Sequence, residues 1–82
     1  MATAALTITS SWAQAASGPA SVLIPAKSNF HWAITDGSAP VVLASLCALV
    51  ERGNNLSLEL ATGESLQVIA PVPFDTSVTT GA

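Results

Sequence analysis

The chain has 82 residues, half of them hydrophobic, with two basic residues (Lys27, Arg52) against five acidic ones (Asp36, Glu51, Glu59, Glu64, Asp75). Nucleic-acid binding needs clustered Lys and Arg to neutralise phosphates, and two isolated basic residues make no such patch. A single cysteine, Cys47, excludes an intrachain disulfide, and a single histidine, His31, among scattered carboxylates offers no ligand set for a structural metal.

The predicted elements are short and alternate every second residue. Over residues 4–12 (Ala-Ala-Leu-Thr-Ile-Thr-Ser-Ser-Trp), Leu6 and Ile8 alternate with Thr7 and Thr9, the mark of a half-buried strand with Trp12 near its end. Residues 14–19 are small and polar and close on Ser17-Gly18-Pro19, a turn signal. Residues 20–24 (Ala-Ser-Val-Leu-Ile) form an apolar run that Pro25 ends, because proline cannot donate to a ladder. Over residues 30–35, Phe30, Trp32 and Ile34 share one face of a strand and His31, Ala33 and Thr35 the other; Asp36-Gly37 then turns the chain.

Residues 41–50 are the ambiguous stretch. Val42, Leu46, Leu49 and Val50 would line one face of a helix, but Leu43 breaks the stripe. Extended structure is the favoured reading, because the neighbouring segments all read as strands. Residues 51–55 (Glu-Arg-Gly-Asn-Asn) form a turn. Leu56, Leu58 and Leu60 then share one strand face, with Ser57 and Glu59 on the other. Residues 61–64 (Ala-Thr-Gly-Glu) look like a tight connection to a hairpin partner at residues 66–70. Pro71 and Pro73 end the pattern, and residues 76–82 read as a small, polar, mobile or partner-docked tail. The expectation is an all-β fold: a small antiparallel sandwich or barrel of five to six short strands with extended terminal arms. Residues 1–11 are the arm or first strand, 12–71 the compact domain and 72–82 the tail.

No catalytic constellation stands out. A thiolate nucleophile needs a base within reach, yet Cys47 lies in an apolar run, where a free cysteine packs as a small hydrophobe. No Gly-x-Ser-x-Gly elbow is present. Glu59 and Glu64 flank the predicted hairpin turn and are read as solvated, and the glycines are single turn residues, not a phosphate-binding loop. No cofactor is expected. His31 reads as an ordinary strand histidine, although on an interface it would make assembly pH-sensitive. Trp12 and Trp32 are read as core or interface anchors; the alternative is an exposed aromatic that stacks on sugars.

Size then bears on assembly. A chain this short buries only about 60–65% of the surface its unfolded form exposes. With disulfides and metals excluded, oligomerisation is the remaining support. Residues 1–11 lack a basic residue, so no secretory leader is expected. The apolar run at 41–50 is about half the ~20 residues of a membrane helix. Folding in the cytoplasm, with one unpaired thiol, is the expectation.

The order Ser11-Trp12-Ala13-Gln14-Ala15-Ala16-Ser17-Gly18-Pro19-Ala20, the loop Asp36-Gly37-Ser38-Ala39-Pro40 and the closing run from Leu56 to Val68, with its Leu-x-Leu-x-x-Gly-Glu-x-Leu pattern, resemble small virion proteins of tailed bacteriophages. The resemblance covers roughly residues 10–70. It implies a compact β module, often trimeric, that decorates the capsid or belongs to head and tail fibres, and it carries over no catalytic residue. The expectation is therefore a non-enzymatic capsid decoration or cement protein. It would be made in the host cytoplasm, lodged in the virion, trimeric, and bound to the major capsid protein or another virion protein, with no nucleic-acid or membrane partner. The alternative is a receptor- or carbohydrate-binding fibre module. Leu6, Ile8, Trp12, Val22, Ile24, Phe30, Trp32, Ile34, Leu56, Leu58, Leu60, Leu66 and Val68 are the expected core and interface residues. The N-terminal arm or the C-terminal tail would add a strand to a neighbouring sheet.

Overall fold

A computed structural model describes residues 2–37 and 48–81. These form eight strands: β1 (Ala2–Ile8), β2 (Ala13–Ser17), β3 (Ala20–Pro25), β4 (Phe30–Thr35), β5 (Ala48–Val50), β6 (Asn55–Leu60), β7 (Ser65–Ile69) and β8 (Phe74–Gly81). They make two four-stranded antiparallel sheets, sheet A in the order β1-β8-β3-β6 and sheet B in the order β2-β7-β4-β5. The expected all-β sandwich is present, with eight strands in place of five or six.

The pairing has a simple logic. Strand β1 pairs with β8, β2 with β7, β3 with β6 and β4 with β5. The chain is thus one long hairpin rolled up, so that successive pairs fall on alternate sheets; this is jelly-roll order. Every described connection passes from one sheet to the other. The paired crossovers are bonded to each other as well: the Ala70 N–H donates to the Thr9 carbonyl (2.8 Å), Gly18 to Glu64 (2.8 Å), Ala26 to Asn54 (2.8 Å) and Gly53 to Ala26 (3.0 Å).

Alternation along the strands places the core between the sheets. Sheet A sends Ile8, Val22, Ile24, Leu56, Leu60 and Val78 inward, and sheet B sends Phe30, Val50, Leu66 and Val68, with Ala70 just past the end of β7; all are buried. The rings of Phe30 and Phe74 bridge the two sheets at 6.1 Å between centroids and 43° between planes, a tilted aromatic contact.

Four sequence expectations are corrected. Residues 14–19, read only as a small, polar stretch closing on a turn at Ser17-Gly18-Pro19, include most of β2, and the turn follows it at Gly18-Pro19. The strand's Ala, Gln and Ser residues have weak strand propensity, but on an edge, with a register irregularity between Gln14 and Ala16, small side chains suffice. Strands β6 and β7 are not a hairpin. They lie in different sheets, so their leucines meet the same core from opposite sides; a four-residue connection is compatible with either course. The expected tail over residues 72–82 is instead β8, an interior strand of sheet A between β1 and β3. It reads as polar because only Val78 of its residues is buried, while its β-branched threonines favour extended backbone. The expected strand over 4–12 begins at Ala2 and ends at Ile8, leaving Trp12 outside it. Of the stretch 41–50, Ala48–Val50 is strand β5, and residues 41–47 lie outside the described residues.

Two predictions follow from this arrangement. A chain truncated after Pro73 loses an interior strand and is expected to lack cooperative unfolding by circular dichroism. A Cβ at Gly18 would sit 2.0 Å from the Ala61 carbonyl oxygen, whereas nothing lies within 4 Å of one at Gly53, where φ is +92°. Gly18→Ala should therefore cost more than the ~1–3 kcal/mol usual for overpacking, and Gly53→Ala only the ~1–2 kcal/mol of a left-handed residue. Urea denaturation of both variants checks the order.

Candidate functional site

The same alternation that builds the core decides what each sheet shows on its other face. On sheet A the outward positions are Thr3, Ala5 and Thr7 of β1, Asp75, Ser77 and Thr79 of β8, Ser21 and Leu23 of β3, and Asn55, Ser57 and Glu59 of β6. This face is mostly hydroxyl and carries two carboxylates. Both carboxylates already have hydroxyl partners: Thr7 Oγ1 donates to Asp75 Oδ1 (2.8 Å) and Ser21 Oγ to Glu59 Oε1 (3.5 Å). Thr3 and Thr79 share a further hydroxyl–hydroxyl bond of 2.9 Å across the ladder. Such cross-strand pairs restrain the surface side chains at the β1–β8 and β3–β6 junctions.

Two open depressions lie on this part of the molecule. One, of about 260 Å³, is lined by Pro19, Ala20, Ser21, Glu59 and Leu60. The other, of about 190 Å³, is lined by residues that include Ser21, Leu23, Ser57 and Thr79. Among the described residues neither lining holds a histidine, cysteine or lysine, and the base beside the hydroxyls there is the Glu59 carboxylate.

Sheet B is different. Leu66 and Val68 face the core, yet the alternate residues Ser65 and Gln67 are buried too, with Gln67 only 3% exposed. Strand β7 is therefore enclosed on both faces. Among the described residues the Gln67 amide nitrogen has no hydrogen-bond partner, and an unpaired buried donor of this kind normally costs about 1–3 kcal/mol. His31 is half-buried on the same face, paired across the sheet with Ile69 and Leu49.

The turns carry specific polar work. In the 61–64 connection the Glu64 N–H donates to the Ala61 carbonyl (3.1 Å), and the Glu64 carboxylate accepts from the Ala61 N–H (2.6 Å). Glu64 is thus half-buried and engaged, not the solvated residue expected, because its side chain folds back over its own turn. The Asn29 Oδ1 similarly accepts from the Arg52 N–H at 2.6 Å, tying the β3–β4 connection to the β5–β6 turn.

The sequence-derived core and interface residues distribute as follows. Ile8, Val22, Ile24, Phe30, Leu56, Leu60, Leu66 and Val68 are buried, and Leu6, Trp32 and Leu58 pack half-buried against them. Trp12 is half-buried outside that cluster, because the chain has left β1 and not yet entered β2. Ile34 points inward but is 40% exposed. Ala26, Val50, Ala70 and Val78 complete the core unforeseen. The signal for Val78 was its position two residues from Thr76 and Thr80 in a β-branched run; the alanines carried none. Cys47 lies outside the described residues. Among the described residues no group of three or more His, Cys, Asp and Glu is placed to hold a metal ion, and no helix is long and apolar enough to cross a membrane.

No protein-family model, curated protein or solved structure matches this chain.

Replacing Gln67 by methionine keeps the volume and removes the orphan donor. Gln67→Met is expected to stabilise the fold by about 1 kcal/mol in chemical denaturation. A loss of that size would mean that the amide is bonded.

Proposed function

We propose that this protein is a non-enzymatic virion structural subunit: a capsid decoration or cement protein that assembles with copies of itself on a phage head, in contact with the major capsid protein or another virion protein. The observation that carries the reading is the outer face of sheet A. It is broad and rich in hydroxyls, and its carboxylates Asp75 and Glu59 each accept from a neighbouring hydroxyl, so it offers a hydrogen-bonding surface to a protein lattice. The strand order agrees, since jelly rolls recur in viral capsid domains, although fold alone assigns no function. A small core and few charges suit a closed homo-oligomer.

A second reading, a carbohydrate-binding module of a fibre, draws on the two depressions over β3, whose hydroxyls and Glu59 carboxylate are groups that bind sugar hydroxyls. No aromatic ring lines either of them, which places this reading behind the first.

Cosedimentation with DNA-free phage heads tests the proposal. Saturable binding at a fixed ratio to the major capsid protein is the expected result. Failure to bind heads, together with specific retention on a glycan array, would replace it with the second reading.

A further inference from the structure

Four strands form the outer edges of the two sheets, β1 and β6 of sheet A and β2 and β5 of sheet B. An edge strand exposes unpaired N–H and C=O groups, and proteins defend such edges with short strands, bulges, prolines or charges. Three of these four edges are defended. Strand β5 has three residues among those described, β2 has a register irregularity after Gln14, and β6 carries Glu59. Strand β1 has none of these devices. Its seven residues, Ala-Thr-Ala-Ala-Leu-Thr-Ile, hold no charge and no proline, its ladder to β8 is unbroken from Ala2 to Ile8, and Ala2–Ala5 are all exposed.

From this we propose that β1 is the self-association edge of the protein: it pairs antiparallel with β1 of a second copy, joining two A sheets into one of eight strands. A second copy is the occupant that fits. An uncharged edge is best matched by another uncharged edge, and β6 would bring the Glu59 carboxylate into the seam. The sequence is also complementary to itself. In a register centred on Ala5, Leu6 lies opposite Ala4 of the second copy, Ile8 opposite Ala2, Thr3 opposite Thr7, and Ala5 opposite itself. Each large side chain meets a small one, and threonine meets threonine, a favourable cross-strand pair. Leu6, half-buried in one copy, would be covered. A pairing about a two-fold axis closes at two copies, so the unit is a dimer where the sequence resemblance suggested a trimer.

The inference rests on the assembly reading above, and the test separates the two. Light scattering on the size-exclusion eluate gives the mass of the wild-type chain and of Ala5→Lys, which sets two ammonium groups opposite each other at the centre of the seam. Ala5 is exposed and faces outward, so the variant should fold with an unchanged circular dichroism spectrum. The expected result is a wild-type dimer and a variant whose mass halves, with the dissociation constant raised at least tenfold. A wild-type dimer or larger oligomer that Ala5→Lys leaves intact overturns the β1 seam but not assembly. A closed trimer does the same. A wild-type monomer at tens of micromolar overturns both. Hydrogen exchange on the wild-type protein provides a measurement free of any variant: β1 amides that point away from β8 are protected at high concentration and lose that protection on dilution. Dilution-independent exchange of these amides excludes the seam even if Ala5→Lys fails to fold.

Discussion

The architecture depends on one constraint: the chain pairs with itself from its ends toward its middle, and the pairing continues through the crossovers. Thr9 with Ala70, Gly18 with Glu64 and Ala26 with Asn54 are backbone bonds between connections, not between strands. They matter because a sandwich of two small sheets would otherwise be held only by its side-chain core, and a chain of this size has a thin one. Bonding the crossovers satisfies main-chain groups at the ends of the sandwich, where water alone would otherwise have to. It also fixes how closely the two layers approach. Gly18 is the clearest case, since the backbone of Leu60 and Ala61 occupies the space a side chain would need.

The titratable side chains of the described residues are dispersed over turns and outward positions, and those that are engaged serve structure. Asp75 and Glu59 accept from hydroxyls on neighbouring strands, and Glu64 caps its own turn. What remains distinctive is surface: a hydroxyl-rich sheet face and an undefended edge. Both are features of contact rather than of reaction, which is why the proposed role is structural.

Much of the architecture was legible in the sequence, for reasons that can be named. Where one face of a strand is buried and the other is wet, as in β3, β4 and β6, alternation reports the fold directly, and Val22, Ile24, Phe30, Leu56 and Leu60 could be read from it. Legibility fails where burial is not alternating or not apolar. Strand β8 holds one buried hydrophobic residue, and its position inside a sheet comes from partners more than fifty residues away. Strand β2 is made of Ala, Gln and Ser, which become a strand only because β7 offers a ladder. The β6–β7 connection shows a further limit. Its length fits a hairpin or a sheet-to-sheet crossing equally well, and local sequence does not encode which neighbour waits at the far end. Gln67 was invisible as a buried group, because an amide between Leu66 and Val68 reads as the wet side of a strand.

The pairing of β1 with β8 also says something about how the molecule is made. On the ribosome β1 emerges before the other seven strands, but the strand it must join, Phe74–Gly81, is translated last of the eight. At ~5–20 residues per second the N-terminal segment spends several seconds without its native partner. No stable subset of the sandwich precedes that moment, because sheet A lacks an interior strand until β8 arrives. Folding thus waits for β8 and is governed by long-range contacts, the slow regime for small domains. Until β8 is made, the apolar faces of β1, β3 and β6 have no complete sheet to pack in, so the unfinished chain is most prone to associate with others in that interval.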